Sequence, residues 1–118
     1  MHTEGTHKDY RDHPKSFTRF SSSDVYGMSA KQQQIKSYYL NGICYQDTFI
    51  YEGIKRVENK AGVVLYIGDH GEEVFDDPQR NRYGHFENSL LIESIKVPFV
   101  IWSSPKLLPT RSVTYQVT

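Results

Sequence analysis

A single cysteine, Cys44, stands among 118 residues, so no disulfide can form within the chain. Long apolar runs are also missing, and none approaches the ~18 residues that a membrane-spanning helix requires. The opening Met1-His2-Thr3-Glu4-Gly5 lacks the apolar core of a secretory signal. Charge of one sign is absent too: 14 basic residues balance 14 acidic ones, which removes any global pull toward nucleic acid or an anionic surface. There are no internal repeats, and the only low-complexity tract, Ser21-Ser22-Ser23, has no nucleophile-elbow context. Cys44 falls within a helical pattern, where it reads as a small packed hydrophobe.

Aromatic residues are plentiful, with nine Tyr, six Phe and one Trp. Only 37% of the chain is hydrophobic, which is little for a unit that must bury a sheet on both faces. The length suits one domain, and the thin apolar content points to part of a larger one, spanning 1–118. Lys8 to Phe20 reads as a loop leaving a strand end, pinned to the body by Phe17 and Phe20. Ser29 with Gln32 three residues on predicts a capping box. From there Ile35, Tyr39, Ile43, Ile50, Ile54 and Val57 trace a helical stripe, and Asn59 to Gly62 stop it. Tyr38, Tyr39 and Tyr45 read as packing groups, since no basic residues interleave with them to make a nucleic-acid platform.

Val63-Val64-Leu65-Tyr66-Ile67 is a continuous β-branched and aromatic run, the pattern of a strand buried on both faces of a parallel sheet. Helix followed by such a strand is half of a βαβ unit. A short helix around Asn88 to Ser94 and a second strand, Val97 to Trp102 with Pro98 near its start, follow. The expected fold class is therefore α/β, a mostly parallel sheet flanked by helices. The tail 107–118 shows no clear period.

Asp69-His70-Gly71-Glu72 lies directly beyond the first strand, where sheets of this class place ligands and catalytic groups. Aspartate oxygen and neutral imidazole nitrogen are both good zinc ligands. Gly71 would let the backbone turn sharply enough to face several polar side chains into one cavity. Taken alone, a polar turn closing a strand remains an equal reading.

The wider series is His2-Thr3-x-Gly5-x-His7, then Tyr10 and Pro14, the helix, the strand with Asp69-His70-Gly71-Glu72-Glu73, Gly84-His85, and Val97-Pro98-Phe99-Val100-Ile101-Trp102. In this order and spacing the chain resembles the C-terminal part of the catalytic domain of bacterial phosphoethanolamine transferases, within the sulfatase and alkaline-phosphatase-like superfamily. The resemblance implies an alkaline-phosphatase-like sheet with Asp69 and His70 as ligands of Zn2+. It implies that His7, His85 and Glu72 bind the phosphoryl or phosphoethanolamine group, with His2 in the same pocket. The activity implied is transfer of phosphoethanolamine from a phospholipid donor to lipid A or core oligosaccharide, in a periplasmic domain anchored to the inner membrane. The threonine nucleophile and the membrane helices of the family would lie upstream, so the 118 residues alone are expected to be inactive. A sulfatase or phosphodiesterase, and a non-catalytic metal-binding module of the same descent, remain alternatives. Glu73, Asp76 and Asp77 read as a solvated acidic loop, and His13 as a surface histidine.

Overall fold

The structure is a computed structural model that describes residues 7, 9–89 and 91–108. A 3-10 turn at Ser22–Asp24 leads into the long helix α1 (Ala30–Val57), followed by β1 (Val63–Ile67), β2 (Glu73–Val74), β3 (Tyr83–Gly84), the short helix α2 (Ile92–Ile95) and β4 (Phe99–Ser103). No helix among the described residues is long and apolar enough to cross a membrane.

The start of α1 is the capping box expected from Ser29 and Gln32. The Ser29 hydroxyl accepts from the Gln32 N–H, while the Gln32 side chain accepts from the Ser29 N–H at 2.8 Å. These reciprocal bonds satisfy donors that the first helical turn leaves without partners. The most deeply buried positions of α1 are not the apolar stripe but Ser37, Asn41 and Gly42, and Ile43 is exposed. Asn41 explains why. Its Oδ1 accepts from the backbone N–H groups of Arg19 (2.7 Å) and Phe20 (2.9 Å), and its Nδ2 donates to the Phe20 carbonyl (2.8 Å). One amide side chain thus satisfies three backbone groups of the preceding loop, which a hydrophobic residue cannot do. Phe17 adds an edge-on contact with Tyr45 at 5.1 Å, so the loop is pinned as expected. His13 belongs to the same aromatic group, half-buried beside Phe17 and Tyr45. The surface reading of His13 is corrected: its ring packs beside Phe17 and against Tyr45 of the helix.

The sheet departs from the parallel expectation. β1 pairs with β4 antiparallel, with Val63 opposite Ser103, Leu65 opposite Ile101 and Ile67 opposite Phe99. Beyond both ends the pairing continues, through Gly68 N–H to the Pro98 carbonyl and Ser104 N–H to the Gly62 carbonyl. β2 and β3 form a second, separate antiparallel pair. Nor is β1 buried on both faces. Val64 and Tyr66 are half-buried, while Val63, Leu65 and Ile67 are 52%, 62% and 61% exposed. The register sets Phe99 and Ile101 on that same open face. A run of apolar residues carries no mark of whether its second face is covered, so both situations give the same sequence. The second helix and strand begin later than expected, at Ile92 and Phe99.

The buried apolar centre is small: Tyr10, Val74 and Phe75, with Met28, Ile35, Tyr38, Tyr39 and Tyr83 packed against it. Tyr10 meets Tyr39 edge-on at 5.0 Å, a favoured aromatic geometry. A contiguous apolar face on so thin a core predicts association. Sedimentation of the purified chain should show concentration-dependent self-association, and replacing Leu65 and Ile101 together with lysine should return it to monomer without loss of helical circular dichroism. Unchanged association in the double variant would remove this face as the cause.

Candidate active site

The segment between β1 and β4 carries the site. Leaving β1, Asp69 accepts the His70 backbone N–H on Oδ1 at 3.0 Å, which fixes its carboxylate. The His70 ring donates from Nδ1 to the Gly71 carbonyl at 3.0 Å, and this assigns the lone pair to Nε2. Nε2 lies 3.9 Å from Asp69 Oδ2. Donor atoms each ~2.1 Å from one tetrahedral zinc ion stand ~3.4 Å apart, so this pair has the donor chemistry for a shared ion and would close by about half an ångström to hold it. The Asp69 carboxylate is 79% exposed and accessible from solvent. Among the described residues, no group of three or more His, Cys, Asp or Glu side chains is arranged to hold a metal.

His85 comes to the same place from the other side. The β2–β3 pair matches Glu73 with Gly84, which brings the residue after Gly84 back toward the acidic loop. Gly84 has φ 114°, a conformation open to glycine, and redirects the chain at this point. The His70 and His85 rings meet with centroids 3.8 Å apart and planes tilted by 32°. Fifteen residues apart in sequence, the two imidazoles form one donor surface.

Glu72 is half-buried, and its Oε2 accepts the Tyr10 hydroxyl at 2.6 Å. Tyr10 is fully buried, and burial, reinforced by the Glu72 carboxylate, pushes its ionisation far above the ordinary tyrosine range. It is therefore a permanent neutral donor that orients Glu72. His7 is exposed, and its carbonyl accepts the Tyr10 N–H at 2.9 Å, so it belongs to the loop that Tyr10 anchors. His2 lies outside the described residues.

Glu73 overturns the solvated-loop reading. It is 1% exposed, and its two oxygens accept from Arg82 Nε and Nη2 at 2.7 Å each. Ser89 Oγ and Ser94 Oγ donate to Oε1 as well. Hydrogen bonding from Arg82 holds the Glu73 carboxyl down to about 2, against an ordinary 4.5. Asp76 and Asp77 are engaged too, Asp76 with Lys36 at 2.9 Å and Asp77 with Arg80 at 3.1 Å. Arg82, Ser89 and Ser94 drew no attention in the sequence. A diagonal Glu–Arg pairing across a short hairpin was the available signal.

Gly71 is needed for a different reason than a sharp turn. A Cβ built there would fall 1.9 Å from the Glu93 carbonyl oxygen, and the Gly71 N–H bonds the Ser94 carbonyl at 3.0 Å. The loop lies directly on the backbone of α2, and only glycine permits this approach.

The sulfatase family model matches residues 1–117. The Kdo(2)-lipid A phosphoethanolamine 7''-transferase of Escherichia coli (strain K12) is 32% identical over 92% of this chain and 19% of its own length. Phosphoethanolamine transferase EptC of the same organism is 30% identical over 94% of the chain and 20% of its own length. The chain thus spans about a fifth of these curated relatives. The crystal structure of the C-terminal periplasmic domain of EptC from Escherichia coli superposes with a TM-score of 0.78 at 29% identity, covering 89% of this chain and 31% of that one. Its complex with Zn superposes with a TM-score of 0.75 at the same identity and coverage.

Two outcomes are expected. Gly71→Ala should destabilise the chain by about 1–3 kcal/mol, because backbone must move to admit the methyl group; a melting temperature equal to that of the parent would refute the close approach. Glu73 has a depressed pKa, so its contribution to stability is complete above the unfolded value near 4.5 and disappears as pH falls toward about 2. Urea unfolding between pH 5.5 and 2.5 should show this decline in the parent and a shallower one in Glu73→Gln.

Proposed function

The chain belongs to the sulfatase family, and on that premise we propose that it forms part of a zinc-dependent phosphoethanolamine transferase acting on lipid A or core oligosaccharide at the periplasmic side of the inner membrane. The observation that carries the proposal is the meeting of Asp69, His70 and His85 at one open surface, with Oδ2 and Nε2 3.9 Å apart and the two rings stacked at 3.8 Å. The relatives named as phosphoethanolamine transferases support the transferred group, and those named for Kdo(2)-lipid A support a glycolipid acceptor.

In this reading Asp69 and His70 hold Zn2+. The ion, when bound, neutralises phosphodiester charge and activates a hydroxyl nucleophile. His70 keeps Nε2 available because Nδ1 is committed to the Gly71 carbonyl. His85, presented beside it, binds phosphoryl oxygen and carries a proton to or from the departing alkoxide, a role suited to imidazole near neutral pH. Glu72, fixed by Tyr10, supplies negative charge facing the ammonium group of ethanolamine. His7 and His2 are assigned to the outer part of the same pocket. A phospholipid is the donor. The threonine nucleophile and the membrane anchor are assigned to parts of the enzyme beyond these residues, and with them the remaining strands of a mostly parallel alkaline-phosphatase-like sheet.

Calorimetric titration of the chain with zinc tests the ligand assignment. Two protein ligands, completed by water, should give a dissociation constant on the order of micromolar or weaker, abolished in Asp69→Ala and in His70→Ala. The chain alone should not turn over a chromogenic phosphodiester, whereas the full-length enzyme should lose transfer in Asp69→Ala. Zinc affinity untouched by both substitutions would reject the assignment.

A further inference from the structure

We propose that Glu73 is a positioning residue whose buried carboxylate sets the approach of His70 to His85 by tying together three segments that surround them. The first segment is the hairpin itself. Arg82 on the strand leading to His85 grips both carboxylate oxygens, at 2.7 Å to each. The second is the loop after His85, where Ser89 Oγ donates to Oε1 and also accepts the Leu91 N–H at 3.3 Å. The third is α2, where Ser94 Oγ reaches the same oxygen at 3.3 Å.

Ser94 is the link to His70. Its carbonyl accepts the Gly71 N–H, and the Gly71 carbonyl in turn accepts from His70 Nδ1. A chain of three hydrogen bonds therefore runs from Glu73 through Ser94 and Gly71 to the His70 ring. On the other side, Arg82 and Ser89 bracket Gly84 and His85 in sequence, and the Arg82 guanidinium also covers the Phe86 ring at 4.2 Å. His85 is thus bracketed by donors to the carboxylate that His70 reaches through Gly71 and Ser94. The carboxylate itself is sealed from solvent and fully engaged by the protein, so it contributes geometry and not a ligand. Such an arrangement holds ring positions far more firmly than two exposed loops could do alone.

This inference rests on the reading of His70 and His85 as one site, and the experiment separates the two. In the chain labelled at histidine, nuclear Overhauser contacts between the His70 and His85 rings are measured in the parent, Glu73→Gln, Ser89→Ala and Ser94→Ala, with zinc titration of each as a second arm. The ring contacts should disappear in Glu73→Gln while amide signals of α1 stay in place. Ser94→Ala should shift chiefly the His70 ring and Ser89→Ala chiefly the His85 ring, and zinc affinity should fall about tenfold in Glu73→Gln. If Glu73→Gln does not fold, the two serine variants decide by the same ring signals. Ring contacts and shifts unchanged in every folded variant would overturn the inference, as would a uniform disturbance of the whole amide spectrum. Absence of zinc binding in the parent, with ring contacts that still depend on Glu73, would instead reject the metal reading and uphold the positioning role.

Discussion

A buried carboxylate that cannot be left unpaired governs the shape of this molecule. Removing an ionised glutamate from water costs several kcal/mol unless donors replace the lost hydration. Glu73 obtains those donors from Arg82, Ser89 and Ser94, and so the hairpin, the following loop and α2 have only one mutual arrangement in which the cost is met. In the same arrangement Gly71 lies on the backbone of α2, Tyr10 reaches Glu72 and the two imidazole rings meet. The site is organised by polar ties, and the apolar centre of Tyr10, Val74 and Phe75 fills the space that they enclose.

The same preference for polar ties recurs away from the site. Asn41 replaces a hydrophobic contact in the middle of α1 with three hydrogen bonds to the loop backbone. Ser104, fully buried, closes the far end of the β1–β4 ladder, its N–H donating to the Gly62 carbonyl and its hydroxyl accepting the Gly62 N–H at 3.1 Å. Hydrophobic burial is correspondingly modest, and the sheet keeps one apolar face open. That balance suits a polypeptide corresponding to about a fifth of the length of its curated relatives.

How much of this could be read in advance depends on the range over which each residue acts. Ser29 and Gln32 make their bonds within one turn, so the start of α1 was legible to the residue. Asp69-His70-Gly71-Glu72 stood out because four chemically distinctive residues adjoin a strand, and the structure does bring His70 together with the distant His85. Glu73 looked like one more acid in an acidic loop, since its partner lies nine residues away and its burial depends on α2. Strand direction was misjudged for a related reason. Side-chain pattern reports which positions are apolar, whereas parallel or antiparallel pairing depends on how the intervening segment returns. Asn41 was passed over and His13 was read as a surface residue because polar residues on a helix or in a loop carry no signal of what they will face.

The ladder that joins β1 to β4 closes at Gly68 and Pro98, so Asp69, His70, Glu72, Glu73 and His85 lie inside one loop whose mouth is that strand pair, and Tyr10 reaches Glu72 from outside it. Drawing together the ends of a segment of about thirty residues costs on the order of 3 kcal/mol in chain entropy. The short β2–β3 hairpin closes a far smaller loop and is assembled from near neighbours, so contact range favours its formation ahead of the ladder. Once Arg82 has gripped Glu73, the segment is already compacted and the distance between Gly68 and Pro98 is reduced before the outer strands meet. The inner hairpin thus shortens the span that the two longer strands have to close.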